Sequence, residues 1–258
     1  MKAKKSYGQH FLVNENLAKN IADQAIALSR QYPVLEIGPG KGVLTKYLFE
    51  VPINFKAVES DIDMIEYLHA RFPGIHPYLI YEDVLKLDLA KVFNGNPLVL
   101  FGNFPYNISS QILFKMIENK DLVPVLVGMF QKEVAERIIA APGNKEYGIL
   151  SVMTQAYYDG KILYRIKPGS FNPPPKVDSA VIKLERKENY RLDCNENLFK
   201  TVVKTAFNHR RKMMRNTLKS LTGDAEILKN EIFSKRPEQL SVSDFVDLTN
   251  IIENSNKQ

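Results

Sequence analysis

A chain of 258 residues with 45% hydrophobic and 25% charged residues is large enough for one full domain, alone or with a small appendage. Its formal net charge of +6 at pH 7 is only a mild bias toward a polyanionic partner. The single cysteine, Cys194, excludes an internal disulfide framework and a cysteine-based metal site. The four histidines lack metal-ligand spacing, and no apolar run approaches the ~18 residues of a membrane span. We therefore expect a cytoplasmic monomer without a metal site or a membrane segment.

Short apolar runs alternate with helix-length segments between Tyr32 and about Glu185. This pattern indicates βαβ units and a mainly parallel sheet, an α/β fold. The predicted strands are Val34–Ile37, Phe55–Glu59, Tyr78–Tyr81, Leu98–Phe101, Val125–Phe130, Lys161–Ile166 and Ala180–Leu184. Helices are predicted between the first five strands, for example at Asp63–Arg71, Ile108–Glu118 and Lys132–Ala140. Because a loop without a helix joins the last two strands, we expect a late antiparallel hairpin at one edge of the sheet.

The pattern of the chain changes at about Glu188, where strand-like runs end. Periodicity predicts helices at Glu196–Leu221, Asp224–Ile232 and Ser241–Ile252, the last with a capping signal at its start. The sequence therefore predicts an α/β sheet domain over residues 1–187 and a small all-α domain over residues 188–258.

Three glycines at alternate positions, Gly38, Gly40 and Gly42, directly follow the first predicted strand and open a helix. Glycine permits a tight turn, and the missing Cβ lets a ligand approach the backbone. The spacing differs from the six-residue G-x-G-x-x-G dinucleotide pattern, and a purely structural turn is the alternative. We expect Gly38 and Gly40 to contact a cofactor.

Polar side chains end consecutive predicted strands at the edge where open α/β sheets bind ligands. Glu59 ends the second strand, where a carboxylate can accept both hydrogen bonds from a ribose diol. Asp83 ends the third and can accept from an adenine amino group, while Asn103 ends the fourth. Asp61 is expected to cap the next helix instead. Since no Gly-Lys-Ser/Thr follows the glycines and carboxylates repel pyrophosphate, the predicted ligand is an adenosine without a phosphate.

The stretch Asn103-Phe104-Pro105-Tyr106 resembles the signature of methyltransferases that act on exocyclic amines of nucleic-acid bases. An adenine amino nitrogen shares its lone pair with the ring and is a poor nucleophile. The Asn103 side-chain oxygen and the Phe104 carbonyl can accept hydrogen bonds from its two protons, which turns the lone pair toward a methyl group. Pro105 orients that carbonyl, and Tyr106 offers a ring face to the base. The alternative is a strand-ending turn with a buried tyrosine.

A proline-rich loop, Phe171-Asn172-Pro173-Pro174-Pro175-Lys176-Val177-Asp178-Ser179, supplies a second aromatic side chain. Phe171 can close on the other face of a flipped base. Equally, the loop can be an edge connection with Phe171 in the core.

These motifs together resemble the KsgA/RsmA family of small-subunit rRNA adenine dimethyltransferases, a family related to the Erm large-subunit rRNA methyltransferases and to mitochondrial transcription factor B. The resemblance covers nearly the whole chain. It also includes Tyr7-Gly8-Gln9-His10-Phe11-Leu12, Asn107-Ile108-Ser109-Ser110, Gln131-Lys132-Glu133 and Phe207-Asn208-His209-Arg210-Arg211-Lys212.

The resemblance implies a Rossmann-like class I methyltransferase sheet and a bacterial enzyme that uses S-adenosylmethionine. The implied substrate is a pair of adjacent adenosines near the 3′ end of 16S rRNA in the immature 30S subunit. The implied cofactor-binding residues are His10, Leu12, Gly38, Glu59, Asp83 and Asn103. Three positions depart from the family: His10 stands where Asn is common, Phe104 replaces the usual Leu, and Lys-Met-Met-Arg follows Arg211.

Seven basic residues and no acidic residue lie between residues 200 and 219. Helical spacing is shared by Lys204, Arg211, Arg215 and Lys219, beside an apolar stripe of Val203, Phe207, Met214, Leu218 and Leu221. Such a run is usually a solvated helix face, and Arg210–Lys212 also suit a brace between domains. Next to an RNA-modifying site we favour phosphate contact. The predicted RNA-binding residues are Lys204, Arg210, Arg211, Lys212, Arg215 and Lys219, and Lys2, Lys4 and Lys5 are expected to form a basic arm.

Two other functions fit parts of the pattern. An Erm-type enzyme would use the same chemistry on 23S rRNA, although the Arg210–Lys212 run and the residues after Tyr106 favour the small-subunit family. A non-catalytic assembly or transcription factor would share the fold, but the intact Asn103–Tyr106 motif speaks against it.

Overall fold

The computed structural model of the chain describes residues 10–223 and 225–256, so the Lys2, Lys4 and Lys5 arm and the Tyr7-Gly8-Gln9 part of the N-terminal motif lie outside the described residues. The described residues form two units. The first contains the described part of Met1–Ala135 together with Gly160–Arg186. The second contains Glu136–Asp159 and the described part of Lys187–Gln258.

A mixed sheet forms the centre of the first unit. Its strands are β2 (Val34–Ile37), β3 (Phe55–Glu59), β4 (Leu79–Tyr81), β5 (Val99–Asn103), β6 (Val125–Gln131), β7 (Tyr158–Ile166) and β9 (Ser179–Arg186). Their order across the sheet is β4-β3-β2-β5-β6-β9-β7. β2 to β6 pair in parallel, whereas β9 runs antiparallel to β6. The predicted α/β sheet is confirmed, with β7 and β9 as neighbours at one edge.

The strands were predictable because the central ones are buried on both faces. β2 is buried along its whole length, and β5 and β6 are buried except at their last residue. Strands of this kind read as continuous apolar runs. The carboxyl ends of β2, β3 and β5 meet at one edge of the sheet because these strands are parallel. This edge gathers the polar residues that end the predicted strands.

A small second sheet was not predicted. It pairs β1 (Phe11–Leu12) antiparallel with β8 (Phe171–Asn172), with Leu12 opposite Phe171. Two-residue strands carry no periodicity, so only the fold brings these distant segments together. Leu12 and Phe171 both belong to the hydrophobic core of the first unit.

Helices surround the strands in the order expected for βαβ units. They are α1 (Glu15–Leu28), α2 (Thr45–Phe49), α3 (Ile62–Arg71), α4 (Leu89–Val92), α5 (Ser109–Glu118) and α6 (Lys132–Ile139). Short 3-10 turns occur at His76–Tyr78 and Pro168–Ser170. The Asp61 side chain accepts a hydrogen bond from the Asp63 N–H and caps α3, as predicted.

The second unit is helical, but the predicted helix Glu196–Leu221 is wrong. Its helices are α7 (Ile149–Gln155), α8 (Glu196–Asn208), α9 (Met214–Thr217) and α10 (Val242–Ser255). Its 3-10 turns are Lys219–Leu221, Ala225–Lys229, Glu231–Ser234 and Pro237–Gln239, so Asp224–Ile232 is not one α-helix either. The chain leaves the helix at His209, where φ is −129° and ψ is 50°. A turn follows, and Met214 and Leu218 beyond it are buried.

The helix before the turn packs on its neighbours through aromatic side chains. The Phe207 ring lies 5.9 Å from the Phe245 ring of α10 and 6.2 Å from that of Tyr147. α7 packs against α8, so Glu136–Asp159 clusters with the C-terminal residues although the sequence assigned it to the first predicted domain.

No helix within residues 10–223 and 225–256 is both long and apolar enough to cross a membrane. The same residues contain no group of three or more His, Cys, Asp or Glu side chains that could hold a metal ion.

Candidate active site

A cavity of about 400 Å³ lies in the first unit at the carboxyl ends of the parallel strands. Its wall is formed by the segment from His10 to Leu12, the glycine loop after β2, and the ends of β3 and β5. Residues 82–85, which follow β4, complete it. A cavity of this size and position is typical of small-molecule sites in open α/β sheets.

The glycine loop adopts a backbone that other residues rarely tolerate. Gly38 has φ +67° and Gly40 has φ +55°. A Cβ on Gly40 would lie 3.2 Å from the Phe11 ring. Both glycines line the cavity, and their N–H groups are used locally, Gly38 toward the Val58 carbonyl and Gly40 toward the Glu59 carboxylate.

Glu59 ends β3, as predicted, and is 8% exposed. Burial raises the pKa of its carboxyl, while hydrogen bonds from the N–H groups of Asp61, Gly40 and Ser60 oppose the rise. These bonds, 2.9 Å long from Ser60 and Asp61 and 3.2 Å long from Gly40, hold the side chain against the glycine loop.

Glu36 is a second buried carboxyl of the cavity, and sequence analysis did not assign it a role. It is 1% exposed and lines the cavity, and within the described residues its Oε2 atom has no hydrogen-bond partner. Burial raises its pKa to about 8. The available signal was an acidic residue inside the otherwise apolar strand Val34–Ile37, because a charged group is costly there unless it is paired or neutral.

Asp83 also lines the cavity, although it lies two residues beyond β4, which ends at Tyr81. The prediction that Asp83 itself ends the strand is therefore wrong by this margin. Its Oδ1 atom accepts a hydrogen bond of 2.9 Å from the Leu85 N–H, which fixes the turn after the strand.

Asn103 ends β5 and lines the same cavity. Its Nδ2 atom donates a hydrogen bond of 3.0 Å to the His10 carbonyl. One of the two N–H groups of the amide is thus engaged, and within the described residues Oδ1 accepts no hydrogen bond. The amide oxygen therefore remains available as an acceptor.

The rest of the motif is anchored on both sides. The Phe104 side chain is 1% exposed and meets the Phe130 ring edge-on, with 5.3 Å between centroids. The Tyr106 hydroxyl and the Ser179 hydroxyl are 2.5 Å apart, and burial raises the pKa of Tyr106. The carbonyls of Pro105 and Tyr106 accept hydrogen bonds from the Ile108 N–H and the Ser109 hydroxyl, which closes the turn into α5.

His10 lies beside this motif. Its ring centroid is 5.6 Å from that of Tyr106, and the two planes are inclined by 30°. Its Nδ1 atom is 2.9 Å from the Pro173 carbonyl. A carbonyl can only accept, so Nδ1 carries the proton and donates. The contact ties the N-terminal segment to the proline-rich loop.

Phe171 is not brought to the cavity. It is 3% exposed, is opposite Leu12 in the small sheet, and is not among the described residues that line the cavity. The sequence left open whether the Phe171 side chain contacts the base or lies in the core. In the structure it lies in the core. Leu12, by contrast, both lines the cavity and belongs to the core.

The predicted basic helix face does not exist as one face, since the helix ends at Asn208. Lys204 lies on α8 and Arg215 on α9, with a turn between them. Most of these cations are exposed, namely Lys204, Arg211, Lys212, Arg215 and Lys219. Arg210 is half-buried, and its guanidinium donates a hydrogen bond of 3.2 Å to the Asn144 carbonyl within the second unit.

The chain is similar in sequence to known ribosomal RNA methyltransferases. It matches the family described as ribosomal RNA adenine dimethylase over residues 1–254. It is 50% identical to ribosomal RNA small subunit methyltransferase A of Bacteroides thetaiotaomicron over 258 residues, which cover 100% of this chain and 96% of that protein. It is 52% identical to the protein of the same name from Flavobacterium johnsoniae over 253 residues, or 98% of this chain and 97% of the other.

Solved structures show the same fold. A dimethyladenosine transferase from Plasmodium falciparum superposes with a TM-score of 0.79 at 26% identity, covering 96% of this chain and 98% of the other. The 23S rRNA methyltransferase ErmE has a TM-score of 0.67 at 23% identity, covering 93% and 99%, and this likeness shows the fold alone. The Rossmann-like methyltransferase fold expected from the sequence is confirmed. The family model matches nearly the whole chain, and the relative from Bacteroides thetaiotaomicron is 50% identical to it. The chain therefore belongs to the ribosomal RNA adenine dimethylase family.

Proposed function

We propose that the protein transfers methyl groups from S-adenosylmethionine to the N6 amines of two adjacent adenosines near the 3′ end of 16S rRNA, in the immature 30S subunit. Family membership and the names of the relatives support adenine in small-subunit rRNA as the substrate. The observation that carries the chemistry is the Asn103 amide. Its nitrogen is held by the His10 carbonyl, so its oxygen is the end that can accept from a base amine.

The cavity suits an adenosine-containing cofactor. Glu59 is the acceptor for the ribose hydroxyls and Asp83 for the adenine amino group, while His10, Leu12 and Asn103 complete the cofactor contacts. The backbone at Gly38 and Gly40 allows a close approach because no Cβ stands in the way. Carboxyl groups in the wall, among them Glu59 and Asp83, favour a cationic ligand over a phosphate.

The proposed mechanism is mainly one of positioning. S-adenosylmethionine supplies an electrophilic methyl group on a sulfonium. Oδ1 of Asn103 and the carbonyl of Phe104 accept hydrogen bonds from the two N6 protons, which turns the nitrogen lone pair toward that methyl group. The Tyr106 ring supports the base, and Pro105 keeps the carbonyl in place. The methylated nitrogen becomes acidic and releases its proton to water, so no strong base is needed. Positioning of this kind can lower a barrier by about 7–11 kcal/mol.

We propose that the exposed cations of the second unit bind RNA phosphates. Lys204, Arg211, Lys212, Arg215 and Lys219 are exposed, and a cation bound to a phosphate makes affinity depend on salt. Arg210 suits a structural role better than the others because its guanidinium is bonded to Asn144.

The Asn103→Ala variant tests the mechanism. Methyl transfer to immature 30S particles should fall on the order of 100-fold or more, because one of the two acceptors is lost. Binding to the particles should persist. The matched control is Asn96→Ala, an exposed position in the same unit, which should keep full activity.

Mass spectrometry of rRNA nucleosides and primer extension give the readout. Dimethyladenosine near the 3′ end of 16S rRNA is expected. Modification of 23S rRNA instead would assign an Erm-type activity, and full activity of Asn103→Ala would refute the proposed chemistry.

A further inference from the structure

The Phe104 ring occupies the space that a side chain on β6 would normally take. An ideal Cβ built on Gly128 would lie 2.1 Å from Cε2 of Phe104, 2.7 Å from Cζ and 2.9 Å from Cδ2. Carbon atoms do not approach so closely without displacement, since non-bonded carbons prefer about 3.5–4.0 Å. Any residue other than glycine at position 128 must therefore push the Phe104 ring aside.

The ring has no easy direction in which to move. The Phe104 side chain is 1% exposed, and its ring also contacts the fully buried Phe130 ring edge-on, with 5.3 Å between the centroids and 85° between the planes. Closely packed interiors transmit such a clash instead of absorbing it. A displaced ring thus pulls on its own backbone, which includes the Phe104 carbonyl.

The residue opposite Gly128 on the neighbouring strand β5 is also a glycine. Gly128 is in register with Gly102 of β5, which immediately precedes the Asn103–Tyr106 motif. Gly102 has φ +148°, and a Cβ there would lie 2.5 Å from the Ile37 carbonyl oxygen. The backbone at Gly102 therefore lies close against β2. On the neighbouring strand, the backbone at Gly128 lies close against the Phe104 ring.

We propose that Gly128 is a positioning residue for methyl transfer. By leaving room for the Phe104 ring, it sets the direction of the Phe104 carbonyl, which accepts one N6 proton of the base. The proposal rests on the function proposed above. Gly128 does not itself line the cavity, so its effect must pass through Phe104.

The test is a pair of substitutions made singly and together. In Gly128→Ala, kcat should fall about 10- to 100-fold, because a shift of about 1 Å at the reacting centre is enough for a loss of this size. The Kd for S-adenosylmethionine, measured by calorimetry, should stay within about 3-fold, since the cofactor contacts are not altered. Phe104→Leu removes Cε2 and Cζ, the two ring atoms nearest to the added Cβ, so Phe104→Leu/Gly128→Ala should recover most of kcat. Gly169→Ala is the matched control, because a Cβ there meets nothing within 4 Å.

Each outcome decides. A normal kcat in Gly128→Ala, an equal loss of turnover and of cofactor affinity, or a double variant no better than Gly128→Ala would overturn the proposal. If Gly128→Ala does not fold, the double variant tests the proposal. A folded, active double variant supports the steric coupling of residues 104 and 128, and an unfolded or inactive one overturns the proposal. A wild-type protein that methylates no adenine would instead reject the proposed function, a result separate from these comparisons.

Discussion

The two units place their polar residues in different ways. In the first unit, Glu59 and Asn103 stand at the last positions of buried parallel strands, and the sheet sets where those positions lie. In the second unit, the basic residues after Asn208 follow a turn whose path depends on which apolar side chains become buried. A strand end is marked locally in the sequence. The end of an amphipathic helix is not marked in the sequence when the helical spacing of apolar residues continues beyond that end.

The polar residues proposed to act in the two units also differ in burial. Glu36, Glu59 and Ser179 are almost completely buried, so a change in any of them alters desolvation and hydrogen bonding. Arg211 and Lys212 are exposed, and screened charges of this kind contribute little to stability. We therefore expect substitutions in the first unit to affect stability and turnover, and those in the second to affect salt-dependent binding.

The largest stability effect is expected at Glu36. Between about pH 4.5, its ordinary value, and about pH 8, its raised pKa, the folded protein keeps a proton that the unfolded chain releases. The free energy of unfolding therefore falls as the pH rises through this window. Glu36→Gln removes the titration. The difference in the free energy of unfolding between Glu36→Gln and the wild type should therefore change with pH. From near pH 4.5 to above pH 8 it should shift in favour of Glu36→Gln by on the order of 3–5 kcal/mol.

Urea unfolding at a series of pH values measures this difference. Glu50→Gln, at an exposed position of the same unit, is the control and should follow the wild type. A stability difference between Glu36→Gln and the wild type that is constant with pH would show that Glu36 does not keep its proton.

A smaller effect is expected at Ser179, which holds the Tyr106 hydroxyl at 2.5 Å. Ser179→Ala should lower the free energy of unfolding by about 1–3 kcal/mol, because a part-buried hydroxyl loses its partner. Turnover should fall with it, since the ring that supports the base is less firmly held. Tyr106→Phe removes the same bond from the other side. In thermal unfolding, the two losses should not add in the double variant, and full additivity would contradict a direct coupling.

The smallest effect is expected in the second unit, at Arg211. Arg211→Ala should leave thermal stability unchanged and reduce the slope of log affinity for rRNA against log salt by about 1, because one phosphate contact is lost. Lys229→Ala is the matched control, since Lys229 is also exposed but pairs with Glu226. Equal slopes for Arg211→Ala and the wild type would remove Arg211 from the RNA-binding surface.

Much of the first unit could be predicted because its signals are local. Val34–Ile37 and Phe55–Glu59 were predicted with the bounds that the structure has. The Asp61 cap was also correct, since a helix N-cap depends only on the next two or three residues. Glu36 was missed although an acidic residue inside an apolar strand was a signal, because the sequence does not show that the strand is buried along its whole length.

The departure at Phe104 shows the limit of a motif. The resemblance drawn from the sequence implies Leu at this position, and Phe is the larger side chain. In the structure it fits because Gly128, on another strand, has no side chain. No local pattern connects the two positions, and only the register of β5 and β6 does so.

The sequence by itself determined where the buried strands lie along the chain, the glycine turn and the polar residue that ends β5, because each depends on neighbours along the chain. The tertiary structure alone decided that Phe171 pairs with Leu12 in the core, that Asn103 turns its amide nitrogen to His10, and that the basic residues follow a turn. The first two of these features join residues that are distant in the sequence, 93 positions apart for Asn103 and His10. Such contacts form only when the fold has closed, and no local preference specifies them.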